Sequence, residues 1–222
     1  MEIIFSIVSV LWIVYAFFRV KQSIHMLQLN SYFNNRLWRW MTEHWSRVVP
    51  VHEWLALIFA LLLFWEWNWL IFVIALLGLF VPKTKQEKKK LAVTARVKRL
   101  ITTIAIIYLF LFATSLHFIW NDYPLSYAGL VIVLGSIFTY VIVLLANLIN
   151  KPIENRIKEY YYQDAKRIID SAKNTDTVGI TGSFGKTSTK FILDTILSSH
   201  FNTLKTPNSF NTKIGVTITI RN

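Results

Sequence analysis

The chain has 222 residues, of which 54% are hydrophobic and only 16% charged, whereas soluble domains carry roughly a quarter charged residues. This composition excludes an ordinary water-soluble globule and predicts that lipid solvates part of the chain. The absence of cysteine excludes disulfides, thiolate zinc sites and cysteine nucleophiles. The net charge of +12 is consistent with binding either nucleic acid or anionic lipid head groups.

The position of the basic residues favours lipid over nucleic acid. Eight basic residues and one acid lie within residues 83–90 and 96–99, between two apolar stretches. Loops of this kind determine membrane orientation, and basic-aromatic motifs for nucleic-acid recognition are missing. The five histidines lack metal-ligand spacing. We therefore expect membrane lipids and no nucleic acid among the partners.

Four apolar stretches predict a helical membrane region over residues 1–150. Their expected spans are residues 3–20, 54–81, 100–120 and 127–149. The first has no positive region before it and no cleavage site after it, so it is expected to be a retained anchor and not a signal peptide. The link at 121–126 makes the last two spans a helical hairpin.

An amphipathic helix is predicted over about residues 32–49. Leu37, Met41 and Val48 recur at helical spacing, and Arg36 and Arg39 occupy another face. Seven tryptophans between Trp38 and Trp69 favour a helix that lies in the membrane surface, because indole prefers the head-group boundary. The alternative is a surface-exposed helix packed against the other spans.

The orientation of the chain follows from the basic loop. The positive-inside rule places that loop in the cytoplasm, and two further crossings place the C-terminal tail there too. A single crossing at 54–81 puts the basic segment 19–47 outside, which conflicts with the same rule. One resolution is that 54–81 folds back around Glu66, and an interfacial loop at Glu66 is favoured over a functional intramembrane carboxylate.

The composition changes at Lys151. Residues 151–173 read as a linker helix that leaves the membrane, with Pro152 near its start. A strand is predicted at 177–181, a glycine-rich turn at 182–185, and a helix from Lys186 to Leu197.

That turn has the composition of a phosphate-binding loop. Gly182 and Gly185 permit backbone conformations that point successive N–H groups at a phosphate, and the helix N-terminus favours its charge. Lys186 is expected to reach the β- and γ-phosphates of ATP, and Thr187 to hold Mg²⁺. The residues expected to bind the ATP phosphates are Gly182, Ser183, Phe184, Gly185, Lys186, Thr187 and Ser188. The alternative is a strand-turn-helix whose glycines only close the turn.

The string GITGSFGKTSTK resembles the phosphate loop of the Mur ligase family, which also lacks the first glycine of the strict motif, at the place of Ile180. After a second predicted strand at 201–205 comes TPNSFNTKIGVTITI, similar to a run in the Mur ligases that add D-alanyl-D-alanine. The matching residues are Thr206, Phe210, Asn211, Ile214 and Gly215. Thr217 departs from the family, in which proline is common.

The resemblance implies an ATP-dependent amide ligase of cell-wall precursor synthesis, in which an amine attacks an acyl phosphate. It also implies that Asn208 and Asn211 lie near the nucleotide or the acceptor. It covers residues 174–222, a partial ATP-binding domain, so we expect a partner chain or further sequence to complete the enzyme.

The fold class predicted is therefore mainly α, with a multi-span helical membrane region followed by an incomplete α/β P-loop unit. Two other functions stay open. One is a non-catalytic membrane protein with a nucleotide-binding tail, and the other is a different P-loop NTPase.

Overall fold

The structure, a computed structural model, describes residues 2–62, 90–121, 123, 125–172, 174–207, 210 and 212–221. They form nine helices within this described part: α1 (Glu2–Leu29), α2 (Asn34–Glu43), α3 (Trp45–Val48), α4 (Val51–Leu62), α5 (Ala95–Trp120), α6 (Leu125–Ile137), α7 (Thr139–Ser171), α8 (Lys186–Leu197) and α9 (Lys213–Arg221). The chain divides into two compact units, Met1–Lys151 and Pro152–Asn222.

The predicted α/β P-loop unit is wrong. Residues 177–181 and 202–205 are extended or irregular, and the described residues contain no strand. A strand exists only when a neighbour completes its ladder of hydrogen bonds, so a β-branched composition is insufficient by itself. The run VTITIRN, which has strand propensity, lies largely in helix α9.

The predicted region of four spans is also wrong. Among the described residues one helix, α5, is long and apolar enough to cross a membrane by itself, and there are at most two crossings if the bent pair of α6 and α7 counts as one span. The predicted span 127–149 is divided between α6 and α7, which are bent by 69°. The predicted span 3–20 falls within α1. Of the predicted span 54–81, the structure describes only the part up to Leu62, so Glu66 lies outside the described residues.

Hydroxyl groups accompany the bend between α6 and α7. The Tyr108 hydroxyl of α5 donates to the carbonyl of Gly135 (3.1 Å) and lies 2.8 Å from the Thr139 hydroxyl. Thr139 in turn donates to the carbonyl of Ser136 (2.6 Å). Trp12 of α1 donates to the Ser136 hydroxyl at 3.0 Å. Polar contacts from two other helices thus hold the position at which α6 ends.

The first unit has one main apolar core, to which α1, α2, α5 and α7 all contribute. Its fully buried members include Leu27 of α1, Leu37 of α2, Leu100 of α5 and Val143 of α7. Leu37 and Met41 are the apolar stripe that predicted an interfacial helix. This stripe packs into the protein core, which corresponds to the alternative in which the helix packs on its neighbours.

A buried ion pair joins α1 to α4. Two guanidinium nitrogens of Arg19 contact Glu53: Nε lies 2.8 Å from Oε1 in the ion pair, and Nη2 donates to Oε2 at 3.1 Å. Tyr15 donates its hydroxyl hydrogen to the same carboxylate. Arg19 also donates to the carbonyl of Val48 at 2.6 Å, where α3 ends. Because Arg19 and Tyr15 of α1 both donate to this carboxylate, and Arg19 also donates to the carbonyl at the end of α3, the break between α3 and α4 is fixed against α1.

Four chain segments meet at one end of the first unit, which we call the basic end. It is defined by Gln28, Ala92, Arg96 and Asn147. The Gln28 amide exchanges two hydrogen bonds with the backbone of Ala92, both 3.0 Å long. Asn147 accepts from Arg96 (3.3 Å) and donates to the carbonyl of Tyr32 (3.0 Å). The end of α1 with the turn after it, the segment before α5, the first turn of α5 and the first part of α7 therefore lie together.

The second unit contains the distal part of α7 together with α8 and α9. Arg221 of α9 forms an ion pair with Asp164 of α7 at 2.6 Å and lies 4.3 Å from the ring centre of Tyr161. Lys213 lies 5.9 Å from the ring centre of Tyr162. Basic side chains at the two ends of α9 thus lie against acidic and aromatic groups of α7.

Candidate functional site

The glycine-rich loop ends where helix α8 begins. Gly185 is the residue before the helix and has a left-handed backbone (φ 76°, ψ −9°). Gly182 has φ 153°, which L-residues rarely adopt. The carbonyl of Gly185 accepts the first helical hydrogen bond, from Thr189 N at 2.8 Å. The amides of the three residues from Lys186 onward therefore stand at the helix start, where no intrahelical acceptor exists for them.

Lys186 folds back over this loop. Its Nζ donates to the carbonyl of Gly182, and the carbonyl of Ser183 lies 3.4 Å away. The ammonium group is therefore held at the loop by the loop's own carbonyl oxygens. A phosphate can replace these carbonyls as its partner because the anion makes the stronger, charge-assisted hydrogen bond.

The remaining loop residues are open to solvent. Phe184 is 94% exposed, and Ser183, Thr187 and Ser188 are exposed as well. The Thr187 hydroxyl is thus free to join phosphate oxygens and water around Mg²⁺, which prefers oxygen ligands. Within the described part of the chain, no group of three or more His, Asp or Glu side chains is arranged for a metal ion.

The segment that follows α8 returns alongside it. Lys190, one turn after Lys186, donates from Nζ to the carbonyl of Thr206 (2.6 Å) and lies 3.2 Å from its hydroxyl. Thr206 is the first residue of the second motif that resembles Mur ligases. The two motifs are therefore joined by a direct contact within the second unit.

Asp194 fixes the same segment further along α8. Its carboxylate accepts from Lys205 Nζ at 2.5 Å and from the Thr203 hydroxyl at 2.8 Å. The hydrogen bond from Lys205, followed by that from Thr203, lowers the pKa of Asp194 below its ordinary value. Successive members of the set Lys186, Lys190 and Asp194 are four residues apart. One face of α8 therefore carries the contact with the loop and the contacts of Lys190 and Asp194 with residues 203–206.

The second motif contains a close contact between a ring and a glycine. A Cβ added to Gly215 would lie 3.0 Å from the Cβ of Phe210 and 3.2 Å from its Cγ. Glycine at position 215 therefore lets Phe210 lie against the first turn of α9. Asn208 and Asn211, predicted to lie near the nucleotide or the acceptor, fall outside the described residues.

Comparison with models of known protein families gives no match, and comparisons with curated proteins and with solved structures give none either.

Two arrangements in the structure were missed by reasoning from the sequence. The contacts of Lys190 and Asp194 could have been found from their helical spacing after Lys186. The Arg19–Glu53 pair had no such signal, because its members lie 34 residues apart at the edges of apolar stretches.

Proposed function

We propose that residues 182–188 bind the phosphates of ATP together with Mg²⁺. The observation that carries this proposal is the left-handed Gly185 at the start of α8, with Lys186 folded over the loop. The loop thus supplies the three features that the proposal needs, which are backbone amides before the helix, a helix N-terminus and an ammonium group. Thr187 supplies the hydroxyl ligand for magnesium.

The reaction proposed for this site is ATP-dependent amide formation, as the resemblance to Mur ligases implies. A substrate carboxylate is phosphorylated by ATP, and an amine then displaces phosphate from the acyl phosphate. The contact between Lys190 and Thr206 supports this proposal, because it places the second motif against the helix that carries the first. The substrate proposed is a cell-wall precursor that carries a carboxylate.

A nucleotide-binding tail without catalysis is the second candidate. It is favoured by the lack of strands in the described residues, since a ligase core requires a sheet. The two are separated by incubating membranes that contain the chain and its native partners with ATP, a cell-wall precursor carboxylate and an amine. Formation of the amide with release of ADP and phosphate, absent from membranes that lack the chain, supports the ligase, whereas ATP binding without turnover supports the second candidate.

The membrane arrangement proposed has the tail in the cytoplasm. Helix α5 is a candidate span, and α6 with the first part of α7 provides a second crossing if the bent pair acts as one span. A chain that crosses the membrane twice, once through α5 and once through the bent pair, begins and ends on the same side. The basic end, which holds the beginning of α5 and Asn147 of α7, is then cytoplasmic by the positive-inside rule.

The binding proposal is tested on the full chain in lipid nanodiscs with a fluorescent ATP analogue. Replacing Lys186 by Ala removes a charge-assisted contact of roughly 1.5–3 kcal/mol and weakens binding by about 10- to 100-fold. Lys166→Ala removes an equal charge from an exposed position on α7 and should leave binding unchanged. Equal affinity of the wild-type and Lys186→Ala proteins would refute the site.

A further inference from the structure

The outer face of α2 combines arginines with aromatic rings. Leu37 and Met41 point into the core, while Arg36, Trp38 and Arg39 are exposed. Phe33, just before the helix, is 53% exposed, and Trp38 is 56% exposed. The guanidinium of Arg36 lies 4.8 Å from the ring centre of Phe33. We call Phe33, Arg36, Trp38 and Arg39 the arginine–tryptophan face.

The chemistry of this face suits the head-group layer of a membrane. An exposed indole or phenyl ring presents apolar surface to water, whereas the head-group boundary accommodates that surface together with the polar N–H of indole. Arginine bears a positive charge with a long apolar stem, so it reaches phosphate groups from the same depth. Neither water nor the hydrocarbon interior satisfies both kinds of side chain at once.

The arginine–tryptophan face also lies at the basic end of the first unit, where a membrane boundary is expected. The Asn34 amide donates to the carbonyl of Leu144 at 3.2 Å, and Asn147 donates to Asn34 at 2.6 Å. Helix α2 therefore begins at the basic end, beside the segment that leads into α5. The apolar length of α5 starts at the same end, at Leu100, so a membrane boundary is expected there.

We propose that the arginine–tryptophan face binds the head groups of anionic phospholipids in the leaflet at the basic end. This differs from the orientation that periodicity predicted, in which the Leu37 and Met41 stripe entered the membrane. The lipid-facing side is the opposite one, and it supplies charge recognition in addition to apolar contact. The proposal rests on the membrane association of α5 and is independent of nucleotide binding.

Electrostatics selects lipid over a second copy of the chain. A symmetric contact through this face would bring Arg36 and Arg39 of one copy against the same residues of the other. Like charges placed together in an interface oppose association, and Glu43 is the one acid in α2. An anionic lipid surface complements the charge directly.

Depth measurement with spin labels tests the location. The chain has no native cysteine, so Trp38→Cys and Thr42→Cys provide single labelling positions on the outer side of α2. Leu109→Cys, at an exposed position of α5, and Ser199→Cys, in the second unit, serve as hydrocarbon and water references. In nanodiscs, labels on α2 should show oxygen and nickel-chelate accessibilities between those of the references. Values equal to the water reference, or protection from both reagents, would overturn the proposal.

Lipid selectivity tests the charge. Nanodiscs are prepared with equal phosphatidylglycerol and phosphatidylcholine, and the lipids retained after detergent extraction are counted by native mass spectrometry. Replacing both Arg36 and Arg39 by Gln should reduce the preference for phosphatidylglycerol by roughly 10- to 30-fold. The control double variant Lys166→Gln and Arg167→Gln removes the same charge from α7 and should keep the wild-type preference. Unchanged selectivity of the α2 variant would contradict the proposal.

Discussion

Two glycines determine the shape of the loop before α8, and they act through backbone conformation. A Cβ at Gly182 would have its nearest neighbour at 3.5 Å, and one at Gly185 at 3.9 Å, so both positions have room for a side chain. The obstacle to other residues is the positive φ at both positions, since an L-residue in a left-handed conformation loses about 1–2 kcal/mol of stability. Glycine adopts this loop geometry without strain, whereas any other residue at either position would be strained.

Substitution of Gly185 by Ala should therefore damage the loop without a steric clash. We expect the free energy of unfolding to fall by about 1–2 kcal/mol and ATP affinity to fall by roughly tenfold, because the amides of α8 lose their alignment. Calorimetric titration with an ATP analogue and chemical denaturation give the two values. Gly179→Ala is the control, since a Cβ there meets nothing within 4 Å. Equal affinity of the two variants would show that the conformation of Gly185 is unimportant.

At the scale of elements, a short contact decides how α9 packs against the segment that precedes it in the second unit. Alanine in a helix interior is favoured over glycine by about 0.8–1.0 kcal/mol, but overpacking costs about 1–3 kcal/mol. At Gly215 these effects oppose each other, because Phe210 lies against the glycine. The clash with Phe210 should outweigh the gain in helix propensity, since the Cβ of Phe210 is attached to the backbone and cannot rotate away.

Gly215→Ala should thus destabilise the wild-type protein by about 1 kcal/mol and stabilise a Phe210→Gly background, which lacks the clashing Cβ, by a similar amount. A double-mutant cycle measured by thermal unfolding supplies all four values. The inversion of sign is the expected result. If Gly215→Ala has the same sign in both backgrounds, the ring does not lie against α9.

The buried pair between α1 and α4 should behave as one unit. Breaking it with Glu53→Gln leaves the Arg19 charge buried without a counter-charge, which costs about 3–5 kcal/mol and should lower Tm by roughly 10 °C in detergent. Replacing both Arg19 and Glu53 by Met should recover at least half of that loss, because neither charge remains. Arg167→Met, at an exposed arginine, is the control. A double variant less stable than Glu53→Gln would contradict this account.

The sequence predicted elements whose causes are local, and failed where distant partners decide. Helix α8 follows from the spacing after Gly185 and begins and ends at the residues that the spacing indicated. The residues at 177–181 have the composition of a strand, but a strand also needs a neighbour. The stretch 127–149 is continuously apolar, so its bend near Phe138, contacted by Tyr108 and Trp12 from other helices, gave no signal in hydropathy.

At the scale of the whole molecule, the proposed binding of cytoplasmic ATP requires the second unit to face the cytoplasm. Ser199→Cys should react with a membrane-impermeant maleimide only after cells are permeabilised. Asn121→Cys, which follows α5 at the end away from Ala92, should react in intact cells. Labelling of Ser199→Cys in intact cells would place the second unit outside the cytoplasm, where ATP cannot reach it, and would contradict the proposed function.

The most direct test of the central claim is hydrogen exchange of the loop amides in the full chain, with and without ATP and Mg²⁺. Backbone N–H groups that bind phosphate exchange more slowly, so peptides covering residues 182–188 should gain protection in the wild-type protein and little in Lys186→Ala. Peptides from α2 and α5 should be unchanged in both. ATP-dependent protection elsewhere, with none at 182–188, would contradict the assignment of this loop as the phosphate site.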